Sequence, residues 1–267
     1  MIIDAHCHAG HGDLMTAPWN TVAALGPYLR RARTAGITKT IIFSLFHTDN
    51  EVANAEVARL VAANPESLIG FLFLHSKHDA GRVGPMVRRA VEVWGFRGIK
   101  LHGFEGMPTR EICEAARRYR LPVLIDVVGK THIIDMCAPQ YPDVNFIVPH
   151  LGSFAGDFRA HQQTIDLLVR YPNVYADSSS VRHFDYLVQA VKRAGPRKLI
   201  FGTDGPWLHP AVELAKIKLL RLSPDEERLV VAGNILRLLA PDRRKADYAK
   251  ERAAARNGSY EILANVP

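Results

Sequence analysis

The chain has few cysteines and no long apolar run. Its three cysteines, Cys7, Cys113 and Cys137, are odd in number and scattered, which argues against a disulfide framework and fits a reducing compartment. No apolar stretch approaches the roughly 20 residues that a membrane-spanning helix needs, so we expect no membrane anchor. The segment Met1-Ile2-Ile3-Asp4 lacks a basic region followed by an apolar core. We therefore expect no secretory signal and a cytoplasmic location.

Signatures of nucleic-acid binding are also lacking. The formal net charge is +7, but much of the excess lies in a late charged segment that a solvated helix face explains. No basic run is interleaved with aromatic residues, and no zinc-finger or RNA-recognition pattern occurs. A Gly-rich dinucleotide fingerprint is missing as well, which disfavours a nucleotide-binding doubly wound sheet. We expect a small-molecule substrate, for which the charge favours an anion, and no nucleic-acid or membrane partner.

What the sequence does contain is a regular alternation of strand and helix patterns. Eight short apolar runs, many with β-branched residues, recur at intervals of roughly 25 to 30 residues and are typical of strands. They cover residues 2–6, 39–44, 68–74, 97–102, 122–126, 144–150, 173–177 and 198–203. Stretches with apolar residues three and four apart predict helices over 21–36, 51–65, 84–95, 109–120, 161–172 and 184–195.

This alternation predicts one α/β domain, a single (β/α)8 TIM barrel. Parallel strands need helical crossovers, and eight such units in 267 residues, 48% of them hydrophobic, favour a closed barrel over an open sheet. We assign the barrel to residues 1–239. Residues 240–267 are strongly charged at first and are predicted to form a C-terminal extension, a surface helix with a loose end. A homodimer is the expected assembly, from the symmetry statistics of oligomers alone.

Imidazoles and carboxylates occur at the ends of several predicted strands. Alternate side chains of a strand share a face, so His6 and His8 point to one side and can chelate one ion. The other strand ends contribute Lys100, His102, Asp126, His150 and Asp204. A closed barrel brings these ends to one rim, which is where barrel enzymes place their catalytic groups. The pattern predicts an active site at that rim.

With these residues the sequence resembles the amidohydrolase superfamily, in particular its amidohydrolase-related (amidohydrolase 2) branch of metal-dependent hydrolases and decarboxylases. The resemblance covers roughly residues 1–239. The segments that carry it, in order, are Asp4-Ala5-His6-Cys7-His8, Gly98-Ile99-Lys100-Leu101-His102, Leu121-Pro122-Val123-Leu124-Ile125, Pro149-His150-Leu151-Gly152, Phe201-Gly202-Thr203-Asp204-Gly205-Pro206 and Asn234. As a set in this order they are specific, although each alone is not. The resemblance implies a barrel enzyme.

The resemblance also implies a role for each matching residue. His6 and His8 correspond to metal ligands, Asp204 to a ligand that is also the general base, and His150 to a residue that polarises the substrate or binds the metal. Asp126 departs from the branch, which usually has a histidine there. A carboxylate also binds divalent ions, so Asp126 is either a further ligand of one divalent ion, zinc or manganese, or the sign that metal binding is weak or absent. Related lactonases of the branch imply this last case.

Simpler interpretations of the same residues stay open. Asp204 and Asp126 could each cap the following helix, and His150 could be a hydrogen-bonded structural histidine. The residues predicted to bind the substrate are Lys100, His102 and Arg182. For Lys100 we expect attraction of an anionic substrate rather than a metal-bridging role. Further candidates are His75, Asp177 and Ser178 for orientation, Lys130, His132, Arg159 and His183 as donors on loops, and Trp207 as a pocket-lining residue.

The leading functional hypothesis is hydrolysis of a C–N or C–O bond in a small carboxylated substrate by metal-activated water. Decarboxylation or hydration with the same ion is the alternative, as is metal-independent lactone hydrolysis. A further alternative, from another class, is a non-catalytic barrel that binds a metabolite and has lost its metal through the change at Asp126. The substrate itself depends on loop shapes that a sequence does not reveal.

Overall fold

The computed structural model describes residues 1–16, 19–154 and 156–239. Its strands are β1 (Ile3–His8), β2 (Gly10–Thr16), β3 (Trp19–Ala23), β4 (Lys39–Phe43), β5 (Leu68–Gly70), β6 (Leu72–Phe73), β7 (Ile99–His102), β8 (Val123–Asp126), β9 (Phe146–Val148), β10 (Val174–Asp177) and β11 (Leu199–Ile200). Its α-helices are α1 (Leu25–Thr34), α2 (Asn50–Ala63), α3 (Val83–Glu92), α4 (Arg110–Tyr119), α5 (His132–Gln140), α6 (Phe158–Arg170), α7 (Phe184–Ala194), α8 (Pro210–Leu219), α9 (Pro224–Arg228) and α10 (Asn234–Leu238).

All strands except β2 and β3 belong to one ring of parallel strands. Strands β1, β4 and β5 pair in that order, and β6 to β11 pair in sequence order. Strands β5 and β6 are two halves of one strand, because the amide of Phe71 donates to Ile42 in β4 while the amide of Leu72 donates to Gly98 beside β7. The ring closes between the first and last strands, where the amide of Ala5 donates to the carbonyl of Phe201 over 3.0 Å. The fold is the predicted (β/α)8 TIM barrel.

All eight predicted barrel strands are present, and the predicted helices correspond to α1, α2, α3, α4, α6 and α7. Strand lengths differ most from the prediction in β9, which covers only Phe146–Val148 of the predicted 144–150, and in β11; the end of β1 differs as well. Strand β1 continues to His8, beyond the predicted end at residue 6, and β11 ends at Ile200 rather than at residue 203. After β11 the chain turns at Asp204, which takes a left-handed conformation with φ of 58°. This turn matters below, since it presents a candidate ligand.

The predicted helix over 21–36 is wrong at its start. Residues 21–23 belong to β3, which forms an antiparallel hairpin with β2, and α1 begins only at Leu25. Gly12 makes the hairpin possible, because a Cβ there would lie 2.7 Å from the Cβ of Leu45 in the loop after β4. The apolar residues of this segment therefore serve a hairpin packed on a neighbouring loop rather than a helix face.

Four helices were not predicted, namely α5, α8, α9 and α10. Proline in a sequence usually indicates the end of a helix, but Pro210 and Pro224 lie in the first turns of α8 and α9, where proline is tolerated. Helix α5 contains Pro139 in its last turn. The predicted extension over 240–267 lies outside the described residues. Among the described residues, no helix combines the length and the apolar character that crossing a membrane requires.

The core contains one contact that is tight enough to test. Phe71 is fully buried where β5 gives way to β6, and a Cβ built on Gly98 would lie 2.3 Å from its ring carbon Cζ. The missing side chain of Gly98 therefore lets this ring lie against the start of β7.

We predict that Gly98→Ala lowers the free energy of unfolding by about 1–3 kcal/mol, because the Phe71 ring has to move in a packed core. The matched control is Gly84→Ala in α3, where an added Cβ meets nothing within 4 Å. It should leave stability unchanged or slightly raised. Urea unfolding of both variants measures this, and equal midpoints for the two would contradict the packing described here.

Candidate active site

The candidate residues lie at the C-terminal ends of the barrel strands, as expected. They are His6 and His8 in β1, Lys100 and His102 in β7, Asp126 at the end of β8, His150 in the turn after β9, Asp177 at the end of β10 and Asp204 in the turn after β11. All are buried except His102, which is partly buried. Residues that are far apart in the sequence therefore form one buried polar floor at the mouth of the barrel.

Two histidines of the first strand and the aspartate after the last strand converge on one point. Nε2 of His6 lies 3.4 Å from Oδ1 of Asp204, and Nε2 of His8 lies 3.7 Å from the same oxygen. Each of the three residues offers a ligand atom within 4.8 Å of the others. This spacing is compatible with a single ion at the centre of the group.

The hydrogen bonds of the two imidazoles decide which ring nitrogen faces this point. Nδ1 of His6 lies 2.9 Å from Oδ2 of Asp177, and Nδ1 of His8 lies 3.2 Å from the carbonyl oxygen of Ser44. Carboxylate and carbonyl oxygens accept, so both Nδ1 atoms donate and both Nε2 atoms carry a lone pair. Nε2 of His6 is buried without a hydrogen-bond partner. Two lone pairs and a carboxylate oxygen thus meet without a donor, which fits a cation.

The imidazoles of His6 and His8 do not carry a proton on Nε2, because their surroundings disfavour the charged form. Burial lowers the pKa of His6, and the nearby Lys100 ammonium lowers it further. Burial likewise lowers the pKa of His8 well below its usual value, again with Lys100 as the next contribution. Neutral imidazoles are the form that binds a metal. The donor set and its electrostatics therefore suit a divalent ion such as zinc or manganese.

Asp177 orients the histidines rather than extending the ligand set. A second group of possible metal ligands consists of His6, His150 and Asp177. Both oxygens of Asp177 are already used, however: Oδ2 by the His6 ring, and Oδ1 by the amide of His150 at 3.1 Å and the amide of Ser179 at 2.9 Å. Burial opposes its charge, but the His6 contact outweighs this and holds the pKa of Asp177 at about 2. An ionised carboxylate behind a ligating imidazole sets the ring's tautomer and direction.

His150 is presented by a strained turn. It has φ of 57°, and the next residue, Leu151, also lies in the left-handed region with φ of 48°. Its Nδ1 lies 3.1 Å from the carbonyl oxygen of Ser179 and 2.9 Å from the hydroxyl oxygens of Ser179 and Ser180. Its ring centroid is 4.9 Å from that of His6. These contacts aim Nε2 of His150 at the polar floor.

Asp126, the departure from the family pattern, bridges two histidines. Nδ1 of His102 accepts from the amide of Phe104, so its Nε2 donates to Oδ2 of Asp126 at 3.2 Å, and Nε2 of His150 lies 3.6 Å from the same oxygen. Burial opposes the charge, but the His102 hydrogen bond and the surrounding positive groups hold the pKa of Asp126 well below its usual range. Among the described residues, Asp126 is not in either group of possible metal ligands. Its contacts are those of a residue that orients the two imidazoles.

Neither aspartate caps a helix. Asp126 accepts from the amide of Val128, two residues on, whereas the cap of α5 is Thr131. Asp204 lies before the cap of α8, which is His209. The capping interpretation that the sequence left open is therefore wrong for both residues.

Lys100 is a buried ammonium near the centre of the site. Its residue is 1% exposed, and Nζ lies 4.8 Å from the centroid of the Phe43 ring. Burial lowers the pKa of Lys100, while carboxylates nearby raise it, those of Asp126 and Asp177 first. None of the described carboxylates comes within 4.0 Å of Nζ. A buried cation without a close counter-ion suits an anionic group of a ligand.

The loop donors predicted from the sequence lie outside the buried polar floor. Lys130, His132, Arg159, Arg182 and His183 are all exposed. Arg182 has its guanidinium carbon 5.8 Å from the centroid of the Phe154 ring, at the edge of the mouth. The Trp207 ring does reach the site, with its centroid 5.1 Å from that of His8.

One buried network was missed by sequence reasoning. Oδ1 of Asp4 accepts from the amides of His6 and Thr203 at 3.1 and 2.9 Å, and Oδ2 accepts from the hydroxyls of Thr203 and Tyr28. The Tyr28 ring lies against the turn that contains Asp204 and Gly205, since a Cβ on Gly205 would be 2.4 Å from its Cε2. Asp4 and Tyr28 therefore join the strand of His6 to the turn of Asp204. A lone tyrosine in a predicted helix gives no sequence signal for this role.

The amidohydrolase family model matches residues 3–240, and the chain belongs to the amidohydrolase family. Membership makes it an enzyme of the amidohydrolase type, and the family is metal-dependent. No curated protein matches the chain.

Solved structures share its fold. A 5-carboxyvanillate decarboxylase from Sphingomonas paucimobilis is 14% identical, with a TM-score of 0.70 over 89% of this chain and 98% of its own. A dihydroxybenzoic acid decarboxylase from Polaromonas, solved with manganese and 2-nitroresorcinol, is 17% identical, with a TM-score of 0.68 over 89% and 96%. A probable 2-pyrone-4,6-dicarboxylic acid hydrolase from Acinetobacter baumannii, solved with citric acid, is 16% identical, with a TM-score of 0.66 over 89% and 98%. At these identities the likeness is one of fold.

We predict that the protein purified without chelator carries about one zinc or manganese ion per chain, measured by elemental analysis. His8→Ala should reduce the metal content to about a tenth or less, because it removes one converging lone pair. The matched control is His132→Ala, which changes an exposed histidine at the start of α5 and should leave the metal content unchanged. Equal metal content in the two variants would contradict the assignment.

We predict that Tyr28→Phe lowers the free energy of unfolding by about 1–2 kcal/mol, because Asp4 loses a buried donor. It should also weaken metal binding by about tenfold, because the turn of Asp204 loses its support. The control is Tyr171→Phe, whose hydroxyl contacts the exposed Asp135. Urea unfolding and chelator competition measure both effects, and a variant that loses stability at unchanged metal affinity would limit Tyr28 to a structural role.

Proposed function

We propose that the enzyme hydrolyses a C–N or C–O bond in a small carboxylated molecule, using one divalent ion. The convergence of His6 Nε2, His8 Nε2 and Asp204 Oδ1 on one point carries this proposal. An ion held there would supply a Lewis acid that stabilises negative charge on a substrate oxygen. The hydrolytic hypothesis accounts for a carboxylate at the same point, because water needs a proton acceptor beside it.

The residues of the polar floor have different roles in this reaction. Asp204, at the mouth and 7% exposed, accepts the proton of the attacking water. His150 contacts the reacting group beside His6 and polarises it. Asp177 and Asp126 stand behind the imidazoles and hold their direction. The buried ammonium of Lys100, which has no carboxylate within 4.0 Å among the described residues, binds the carboxylate of the substrate.

Decarboxylation is the second candidate, and the position of Lys100 is the observation that favours it. The Lys100 ammonium, which lies near enough to His6 and His8 to lower their pKa values, would hold a carboxylate beside them, where a leaving carboxylate would have to lie. Two of the structures that share this fold are decarboxylases of aromatic acids. Both candidates use the same residues, so the products distinguish them.

We predict that Asp204→Asn lowers kcat by at least about a thousandfold with the fold intact, because the proton acceptor is lost. The matched control is Asp143→Asn, since that side chain is 56% exposed and away from the mouth, and it should retain full activity. Turnover is measured over a panel of lactones, amides and carboxylic acids with product analysis, and circular dichroism checks the fold. Normal turnover by Asp204→Asn would contradict the mechanism.

The product analysis also separates the alternatives. Release of carbon dioxide without hydrolysis products would replace hydrolysis by decarboxylation. Full turnover after removal of metal would favour the metal-independent lactonase. Binding of panel compounds without any turnover would favour a non-catalytic metabolite-binding barrel.

A further inference from the structure

Three large aromatic side chains stand exposed around the polar floor. Phe104 is 72% exposed, Phe154 45% and Trp207 44%. They follow three different strands, β7, β9 and β11, so they approach the mouth from three directions. We call these three residues the aromatic collar. Exposing such rings leaves apolar area in water, and exposed apolar surface of this kind commonly marks a binding site.

Each ring of the aromatic collar lies against a different histidine of the site. The Phe104 ring is stacked on His102, with centroids 5.0 Å apart and an interplanar angle of 28°. The Phe154 ring meets His150 edge-on at 5.4 Å and 78°. The Trp207 ring is tilted over His8 at 5.1 Å and 53°. A ligand bound at these histidines would therefore lie next to aromatic rings.

Exposure of an apolar side chain is not confined to the mouth: Phe158 is 54% exposed, and its ring meets the exposed His183 with centroids 4.6 Å apart. Val212 and Leu219 are 61% and 63% exposed and lie on α8 rather than in the loops after β7, β9 and β11. Leu219 is therefore a suitable control for exposure alone. Leu219 is exposed like the collar residues, but it is aliphatic and lies on α8.

The polar floor and the collar make different demands on a ligand. The floor offers a buried ammonium, Lys100, for an anionic group. Above it, aromatic faces gain more from a flat π-system than from a puckered ring of equal size, because stacked and edge-on contacts need a planar partner. A ligand that satisfies both carries its carboxylate directly on a planar ring.

We propose that Phe104, Phe154 and Trp207 are specificity-determining residues that select planar, unsaturated ring acids over saturated ones. The inference rests on the proposed function in that the ligand is the substrate of the same site. It extends the proposed function by naming the residues that discriminate between planar and saturated substrates. The Arg182 guanidinium adds a positive charge beside the collar, with its carbon 5.8 Å from the centroid of the Phe154 ring.

The test compares two acids that differ only in ring planarity. Benzoate and cyclohexanecarboxylate carry the same charge and similar volume, and calorimetry on the metal-loaded full chain gives a Kd for each. We expect the wild-type protein to bind benzoate about tenfold more tightly than cyclohexanecarboxylate. Trp207→Leu and Phe154→Leu should each reduce this ratio by about threefold or more, and the triple variant with Phe104→Leu should bring it close to one. The control Leu219→Ala should leave the ratio unchanged.

Two results would overturn the proposal: a ratio near one in the unchanged protein, or an unchanged ratio in the triple variant. Thermal unfolding of each variant accompanies the titrations, and little change is expected because the replaced rings are exposed. Since the readout is binding, failure of the proposed function is seen separately. A collar-dependent preference for benzoate without turnover on any panel compound would support the collar and contradict the enzyme reaction.

Discussion

The closure of the strand ring between β1 and β11 is the constraint on which the site depends. His6 and His8 lie in the first barrel strand and Asp204 follows the last, so their ligand atoms meet only because these two strands are neighbours. The carboxylate of Asp4 reinforces that junction with bonds to both sides. Its burial is stabilised because its donors satisfy both oxygens. The pairing that closes the barrel therefore also assembles the site.

A second level of organisation lies behind the imidazoles. Asp177 and the carbonyl of Ser44 accept from the Nδ1 atoms of His6 and His8, which directs both Nε2 lone pairs to one point. Burial and the Lys100 ammonium keep the two imidazoles neutral. The site is thus prepared for a cation before any ion binds, since little reorganisation of the ligands is needed. The same ammonium has no close counter-ion among the described residues, which suits it to an anionic ligand.

The sequence predicted the barrel and its rim because both follow from local patterns. Apolar runs give strands, and closure brings their C-terminal ends together, so His6, His8 and Asp204 could be named in advance. Long-range pairings could not. Tyr28 bonds to Asp4 across a helix–strand contact, and the hairpin of β2 and β3 depends on a neighbouring loop. The role of Asp126 was open for the same reason, since its partners His102 and His150 lie on other strands.

The central claim is that two imidazoles of β1 and the carboxylate after β11 surround one ion. X-ray absorption spectroscopy of the zinc-loaded protein tests it directly, because imidazole, carboxylate and thiolate neighbours give distinct scattering. Our account predicts a signal from imidazole nitrogen and oxygen, with two imidazoles in the unchanged protein and one in a variant that lacks His6. Sulfur scattering from a cysteine such as Cys7, or an imidazole signal that the loss of His6 does not alter, would contradict it.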